Sequence, residues 1–188
     1  MPVTRFVAFL RAINVGGHTV KMDRLRSLFE ELGLKNVETF IASGNVLFDA
    51  PSTAVSKLEA RIERHLEEAL GYEVLTYVRP LDSLAGVASA HPFDTQEADG
   101  HVLSIGFLKA PLDADHAAAL VALGNDYDAF HVSDREVYWL CRGPRMSDSK
   151  LFGKGLDRAI GTNVTFRSVT TVRKLAAKAT ASSKPRKP

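Results

Sequence analysis

The stretch Val37-Glu-Thr-Phe-Ile-Ala-Ser-Gly-Asn-Val-Leu-Phe48 decides the fold. Two apolar runs, Val37–Ala42 and Val46–Phe48, flank Ser43-Gly44-Asn45. Gly and Asn tolerate the positive φ of a tight hairpin turn, so the stretch reads as two antiparallel strands. A helical pattern lies on each side of it. Upstream, about Met22–Leu32 puts Leu25, Leu28, Phe29 and Leu32 on one stripe, with Gly33 placed to end it. Downstream, Pro51-Ser52 precedes a helix carrying Val55, Leu58, Ile62, Leu66 and Leu70, closed by Gly71. Strands Arg5–Arg11 and Glu73–Val78 stand outermost, and the order is β-α-β-β-α-β.

The second half repeats that order. His101–Lys109 reads as a strand, and Pro111-Leu112-Asp113 opens a helix with Ala117, Leu120 and Val121 that stops at Gly124-Asn125. Ala129–Val132 and Val137–Cys141 flank the turn Ser133-Asp134-Arg135-Glu136. A helix near Ser149–Ile160, a short strand Asn163–Phe166 and a last helix through Val172, Leu175, Ala176 and Ala179 complete it. This order is that of the ferredoxin-like split βαβ unit. The expected fold is α+β: two tandem ferredoxin-like units with mainly antiparallel sheets, packed as one compact body with a groove between the halves. Residues 1–80 form the first repeat and 81–100 a connecting segment with a helical stretch around Leu84–Ala90. Residues 101–180 form the second repeat, and 181–188 a disordered basic tail. The halves share no obvious sequence identity, so the repeat rests on element order.

Composition sets the outer limits. With 45% hydrophobic and 24% charged residues, the chain of 188 has the makeup of an ordinary globular protein. A single cysteine, Cys141, excludes an internal disulfide framework and a cysteine-based zinc site. It fits a reducing, cytoplasmic setting, and no apolar run approaches a membrane span. The net charge of +2 is uneven: six of the 24 bases, Arg173, Lys174, Lys178, Lys184, Arg186 and Lys187, fall at the C-terminus without an acid. The 18 that remain face 22 acids, leaving a body of net −4.

The chain resembles the bacterial proteins catalogued as domain of unknown function 1697. The resemblance runs from about Val3 to Ala177. It is carried by Leu10-Arg11-Ala12-Ile13-Asn14-Val15-Gly16-Gly17, the Lys21–Gly33 helix, Ile41-Ala42-Ser43-Gly44-Asn45-Val46, His91-Pro92-Phe93, Ser149-Lys150-Leu151 and Thr165–Val172. It departs from the family's pattern at Ala12, where Gly is common, and at Ser168-Val169-Thr170, where an Asn-Trp-Asn run is frequent. The resemblance implies an α/β fold of ferredoxin-like character and supplies no reaction.

Function is read from loops. In Phe6-Val-Ala-Phe-Leu-Arg-Ala-Ile-Asn-Val-Gly-Gly17 an apolar strand runs into Arg11, Asn14, Gly16 and Gly17, with Lys21 just ahead of a helix. Adjacent glycines let backbone N–H groups converge, and a helix N-terminus adds positive potential, so the segment suits an anion. Neither a Walker A loop nor a dinucleotide fingerprint is present. By strand alternation Arg11 shares a face with Arg5, Val7 and Phe9, expected to be the more polar one. Ser43 and Asn45 are further donors beside Arg11, unless they only close the hairpin. Arg142-Gly-Pro-Arg-Met-Ser-Asp-Ser-Lys150, followed by Lys154, is a basic loop leading to a helix, and Arg79 and Arg167 stand at strand ends.

Other chemistries find little. The six histidines fall in no metal spacing, no cofactor motif or catalytic motif occurs, and Cys141 reads as a buried small hydrophobe. Glu59, Glu63, Glu67 and Glu68, interleaved with Arg61 and Arg64, read as a solvated helix face. The RNP1 pattern of RNA-recognition sheets is absent from both hairpins. The expectation is therefore a small anion or phosphorylated metabolite held by Arg11, Asn14, Gly16, Gly17, Lys21, Ser43, Asn45, Arg79, Lys150 and Arg167. The alternatives are nucleic acid at the basic tail and the 142–154 loop, and a protein-interaction module. No metal, cofactor or membrane is expected.

Overall fold

The computed structural model describes residues 2–14, 16–41, 44–94, 100–152 and 156–182. Their elements run β1 (Val3–Leu10), α1 (Met22–Glu31), β2 (Lys35–Phe40), β3 (Asn45–Pro51), α2 (Val55–Leu70), β4 (Thr76–Pro80) and α3 (Leu84–Ser89). There follow β5 (Val102–Phe107), α4 (Ala114–Ala122), β6 (Asp128–Ser133), β7 (Glu136–Cys141), α5 (Leu156–Ile160), β8 (Thr165–Ser168) and α6 (Val169–Ser182). The chain divides into two units, Met1–Leu84 with Ala176–Pro188, and Ala85–Leu175. Each holds one four-stranded antiparallel sheet.

In the first unit the strand order is β2-β3-β1-β4. Alternation along β1 sends Phe6, Ala8 and Leu10 to one face, where they join Val46, Phe48 and Val78 and the apolar stripes of α1 and α2. Phe48 is at the centre, its ring 5.7 Å from Phe6 and 5.6 Å from Phe29. The opposite face was expected to be the more polar one; Val7, Phe9 and Leu47 there are also fully buried. Polar character collects instead at the strand ends, where the Arg5 guanidinium donates to the Asn36 carbonyl and to Asp49.

β4 lies at the sheet edge, and an edge strand has backbone groups to satisfy. Two α2 carboxylates do this. Glu59 Oε1 accepts the Val78 N–H at 2.8 Å and Glu63 Oε1 the Thr76 N–H at 2.7 Å. Glu59 is buried, which corrects its reading as part of a solvated face.

The second unit has the order β6-β7-β5-β8. Val137, Trp139 and Cys141 from β7 meet Leu120 and Ile160 on the helix side, with Trp139 between Phe130 and Phe166 at 5.4 and 5.5 Å. Of the helix expected near Ser149–Ile160, the described residues hold Leu156–Ile160, and a 3-10 turn lies at Met146–Asp148. Helix propensity is poor around Gly153 and Gly155, which with Lys154 lie outside the described residues. Val121, expected on the buried stripe of α4, is half-exposed, and Leu120 carries the contact. The basic tail expected at 181–188 lies outside the described residues from 183 onward. Among the described residues no helix is long and apolar enough to cross a membrane.

Register exposes a sequence repeat that element order alone did not. Val7-Ala-Phe-Leu-Arg-Ala12 and Ile105-Gly-Phe-Leu-Lys-Ala110 occupy the same places in their sheets. Leu10 N–H donates to the Gly44 carbonyl at 2.8 Å, and Leu108 N–H to the Arg135 carbonyl at 2.9 Å, each across a hairpin turn. Val7 faces Arg79 and Ile105 faces Arg167, so each fourth strand bears an arginine at the same register.

Candidate functional site

The loop after β1 is built by its own backbone demands. Ala12, Gly16 and Gly17 have φ of 60°, 66° and 87°, a left-handed region that glycine enters without strain and alanine does not. Ile13 turns inward and is buried. Asn14 Oδ1 accepts the Val20 N–H at 2.8 Å and closes the loop; Tyr72 Oη donates to the Ile13 carbonyl at 2.9 Å. The Tyr72 ring also stacks on His18, with centroids 3.9 Å apart. Lys21 takes the N-cap position of α1 without a side-chain cap bond.

The β2–β3 turn meets this loop. A Cβ placed on Gly44 would lie 2.8 Å from Ile13 Cγ2 and 3.2 Å from Leu10 Cβ, so only glycine admits the approach. Ile41, at the start of the turn, has φ 49° and is exposed, a strained state for a β-branched side chain. Arg11 is half-buried, and its N–H donates to the Leu75 carbonyl at 2.8 Å.

Of the residues expected from the sequence, Arg11, Asn14, Gly16, Gly17, Lys21 and Asn45 fall at or beside these two segments; Ser43 lies outside the described residues. Asn45 is buried and its Nδ2 donates to the Phe40 carbonyl at 3.0 Å, so it closes the hairpin. Arg79 is buried at 2% exposure, with Nη1 donating to the Val78 carbonyl. In the second unit Arg167 is buried and donates to Thr165 Oγ1 and the Phe166 carbonyl at 2.9 and 2.8 Å. Burial pushes its guanidinium down to about 10, still charged at neutral pH.

Lys150 borders a cleft of about 530 Å³ in the second unit, lined by residues 125–128, Asp148 and Leu151 as well. At its back is Asp128, 2% exposed. Its Oδ1 accepts Trp139 Nε1–H at 2.7 Å, and its Oδ2 accepts the Ser149 hydroxyl at 2.8 Å and Asn125 Nδ2–H at 3.2 Å. This buried carboxylate escaped sequence reading because two of its three donors come from a strand and a loop 11 and 21 residues further along the chain. Cys141 Sγ lies 3.6 Å from Asp128 Oδ1, and burial with that carboxylate pushes the thiol up to about 12. The basic loop before the cleft is already engaged: Arg142 donates to the Asn125 and Asp126 carbonyls, and Arg145 pairs with Asp148 at 3.4 Å. Among the described residues no three His, Cys, Asp or Glu side chains gather as metal ligands.

Two four-stranded antiparallel sheets, each backed by helices on one face, define a mixed α/β protein with loop-borne polar sites. The chain belongs to the family described as protein of unknown function DUF1697, whose model matches residues 3–138. Among solved structures it is similar to the conserved bacterial protein SP0830 from Streptococcus pneumoniae, at 22% identity and a TM-score of 0.77. The match covers 95% of this chain and 99% of that one, and it speaks to the fold alone. A comparison with curated proteins gives no match.

Proposed function

We propose that this protein binds a small anion or phosphorylated metabolite at one end of its first unit, where the loop after β1 meets the β2–β3 turn. The observation that carries this reading is the seating of Ile13 against Gly44. It ties the Arg11–Gly17 loop, and through Asn14 the start of α1, to the turn that ends in Asn45. Arg11 supplies charge and Lys21 a second cation. The N–H groups of Gly16 and Gly17 supply directional donors in a left-handed backbone, and the N-terminus of α1 adds positive potential. Asn14 and Asn45 shape the loops, and Ser43 adds a hydroxyl. Arg79 and Arg167 act as fixed buried charges, and Lys150 is assigned to the second unit's own cleft.

Each unit is assigned to the ferredoxin-like class, with repeats over 1–80 and 101–180 joined by 81–100. Support comes from the element order and from strand orders that set the first and third strands side by side at the sheet centre. A cytoplasmic setting is proposed on the strength of the single, buried thiol.

Calorimetric titration with inorganic phosphate, nucleotides and sugar phosphates tests the anion reading. A saturable signal that Arg11→Ala weakens about tenfold, the scale of one charged hydrogen bond, is expected. Affinities that Arg11→Ala leaves unchanged contradict it.

A further inference from the structure

We propose that the cleft of the second unit is a separate binding site for a small zwitterion with an apolar body, an amino acid or dipeptide. Its volume of about 530 Å³ falls within the range of small-molecule sites, roughly 300–1,000 Å³. Two walls form it, and they are fixed before any ligand arrives. Asn125 Oδ1 accepts the N–H groups of Tyr127 and Asp128 at 2.8 and 3.0 Å, which sets the first wall. Ser149 Oγ accepts the Leu151 N–H at 3.0 Å, which sets the second. The Ser149 hydroxyl then bonds Asp128 Oδ2 at 2.8 Å and joins the two. Gly143 makes room for the Tyr127 ring, since a Cβ there would fall 2.3 Å from the Tyr127 hydroxyl oxygen, and that hydroxyl donates to the Arg145 carbonyl at 3.0 Å.

The charges then divide into spent and available ones. Asp128 is saturated by Trp139, Ser149 and Asn125, and Asp148 is paired with Arg145. Among the described residues, the Asp126 carboxylate and the Lys150 ammonium, both lining the cleft, have no ion-pair partner. They do not pair with each other. One carboxylate borne by residues 125–128 and one ammonium borne by residues 148–151, in a cleft that Tyr127 and Leu151 also line, complement a ligand that carries both charges about an apolar group. A purely anionic ligand would meet Asp126, and a purely cationic one Lys150, so the cleft selects against both.

Leucylglycine is the probe, titrated into the full chain and followed by backbone amide NMR. Its N-acetyl form keeps only the carboxylate and its C-terminal amide only the ammonium. Leucylglycine should shift the amides of 125–128 and 148–151 to saturation, and each blocked form should bind about tenfold more weakly. Asp126→Asn should abolish the preference over the N-acetyl form, and Lys150→Met the preference over the amide. Both side chains are exposed, and an unchanged Trp139 emission confirms that each variant folds. The proposal is overturned if those amides do not move, if a blocked form binds as well as the zwitterion, or if neither variant alters the preference.

Discussion

Ile13 and Gly44 approach so closely that a Cβ on Gly44 would lie 2.8 Å from Ile13 Cγ2. Gly44 also has φ 75°, so alanine there meets a backbone penalty of about 1–2 kcal/mol as well as the overlap. Gly44→Ala is expected to cost about 2–4 kcal/mol in urea unfolding and to loosen the loop that holds Arg11. Loss of stability below about 0.5 kcal/mol would show that the contact does not fix the loop.

Ala12 takes φ 60°, a conformation in which glycine has no steric penalty. Ala12→Gly relieves strain and raises the entropy of the unfolded chain, two effects of opposite sign and similar size. The expected net is a gain of about 0–1 kcal/mol, where an exposed alanine in ordinary backbone would lose that amount. Thermal unfolding of the variant beside Ala118→Gly, an exposed position inside α4, measures the difference.

Glu59 holds the Val78 N–H on edge strand β4. Glu59→Ala leaves that buried amide without its acceptor, at a cost of about 1–3 kcal/mol. Glu59→Gln retains an oxygen and should recover much of the loss. Amide exchange at Val78 should speed up in the alanine variant and stay slow in the glutamine one.

The Cys141 thiol, ordinarily near 9.0, is pushed up to about 12, first by burial and then by the Asp128 charge. Its folded value is the higher one, so the stability it contributes is full below 9.0 and is lost as pH rises toward 12. The Tyr138 hydroxyl, also pushed up to about 12 by burial, adds to the loss over the upper part of that window. A thiol reagent at pH 8 should leave Cys141 unmodified in the folded protein and react fully in urea. Fast labelling of the folded protein would mean that the second unit's core opens readily.

Much of the fold was legible because its signals are local. Gly33 and Gly71 end α1 and α2 where their left-handed φ requires, and Gly44-Asn45 closes the hairpin. The edges of strands were less so: β4 begins at Thr76 rather than Glu73, since pairing with β1, and not propensity, sets its start. The site was legible in part. Arg11, Gly16 and Gly17 announce a loop by type, whereas the internal use of Asn45, Arg79 and Arg167 depends on partners that alternation does not name. Glu59 offered a signal of its own. It lies four residues after Val55 and three before Ile62, on the buried stripe of α2, where a carboxylate must have a donor. The Phe-Leu-basic-Ala match between residues 9–12 and 107–110 was likewise present in the letters and became plain only with the register.

The most direct test of the proposed anion site is a phosphate titration followed at the backbone amides of Gly16 and Gly17. Saturable downfield shifts of both, lost in Arg11→Ala and unaffected by chloride at equal ionic strength, are the predicted result. Amides that stay in place, or that move equally with chloride, would contradict it.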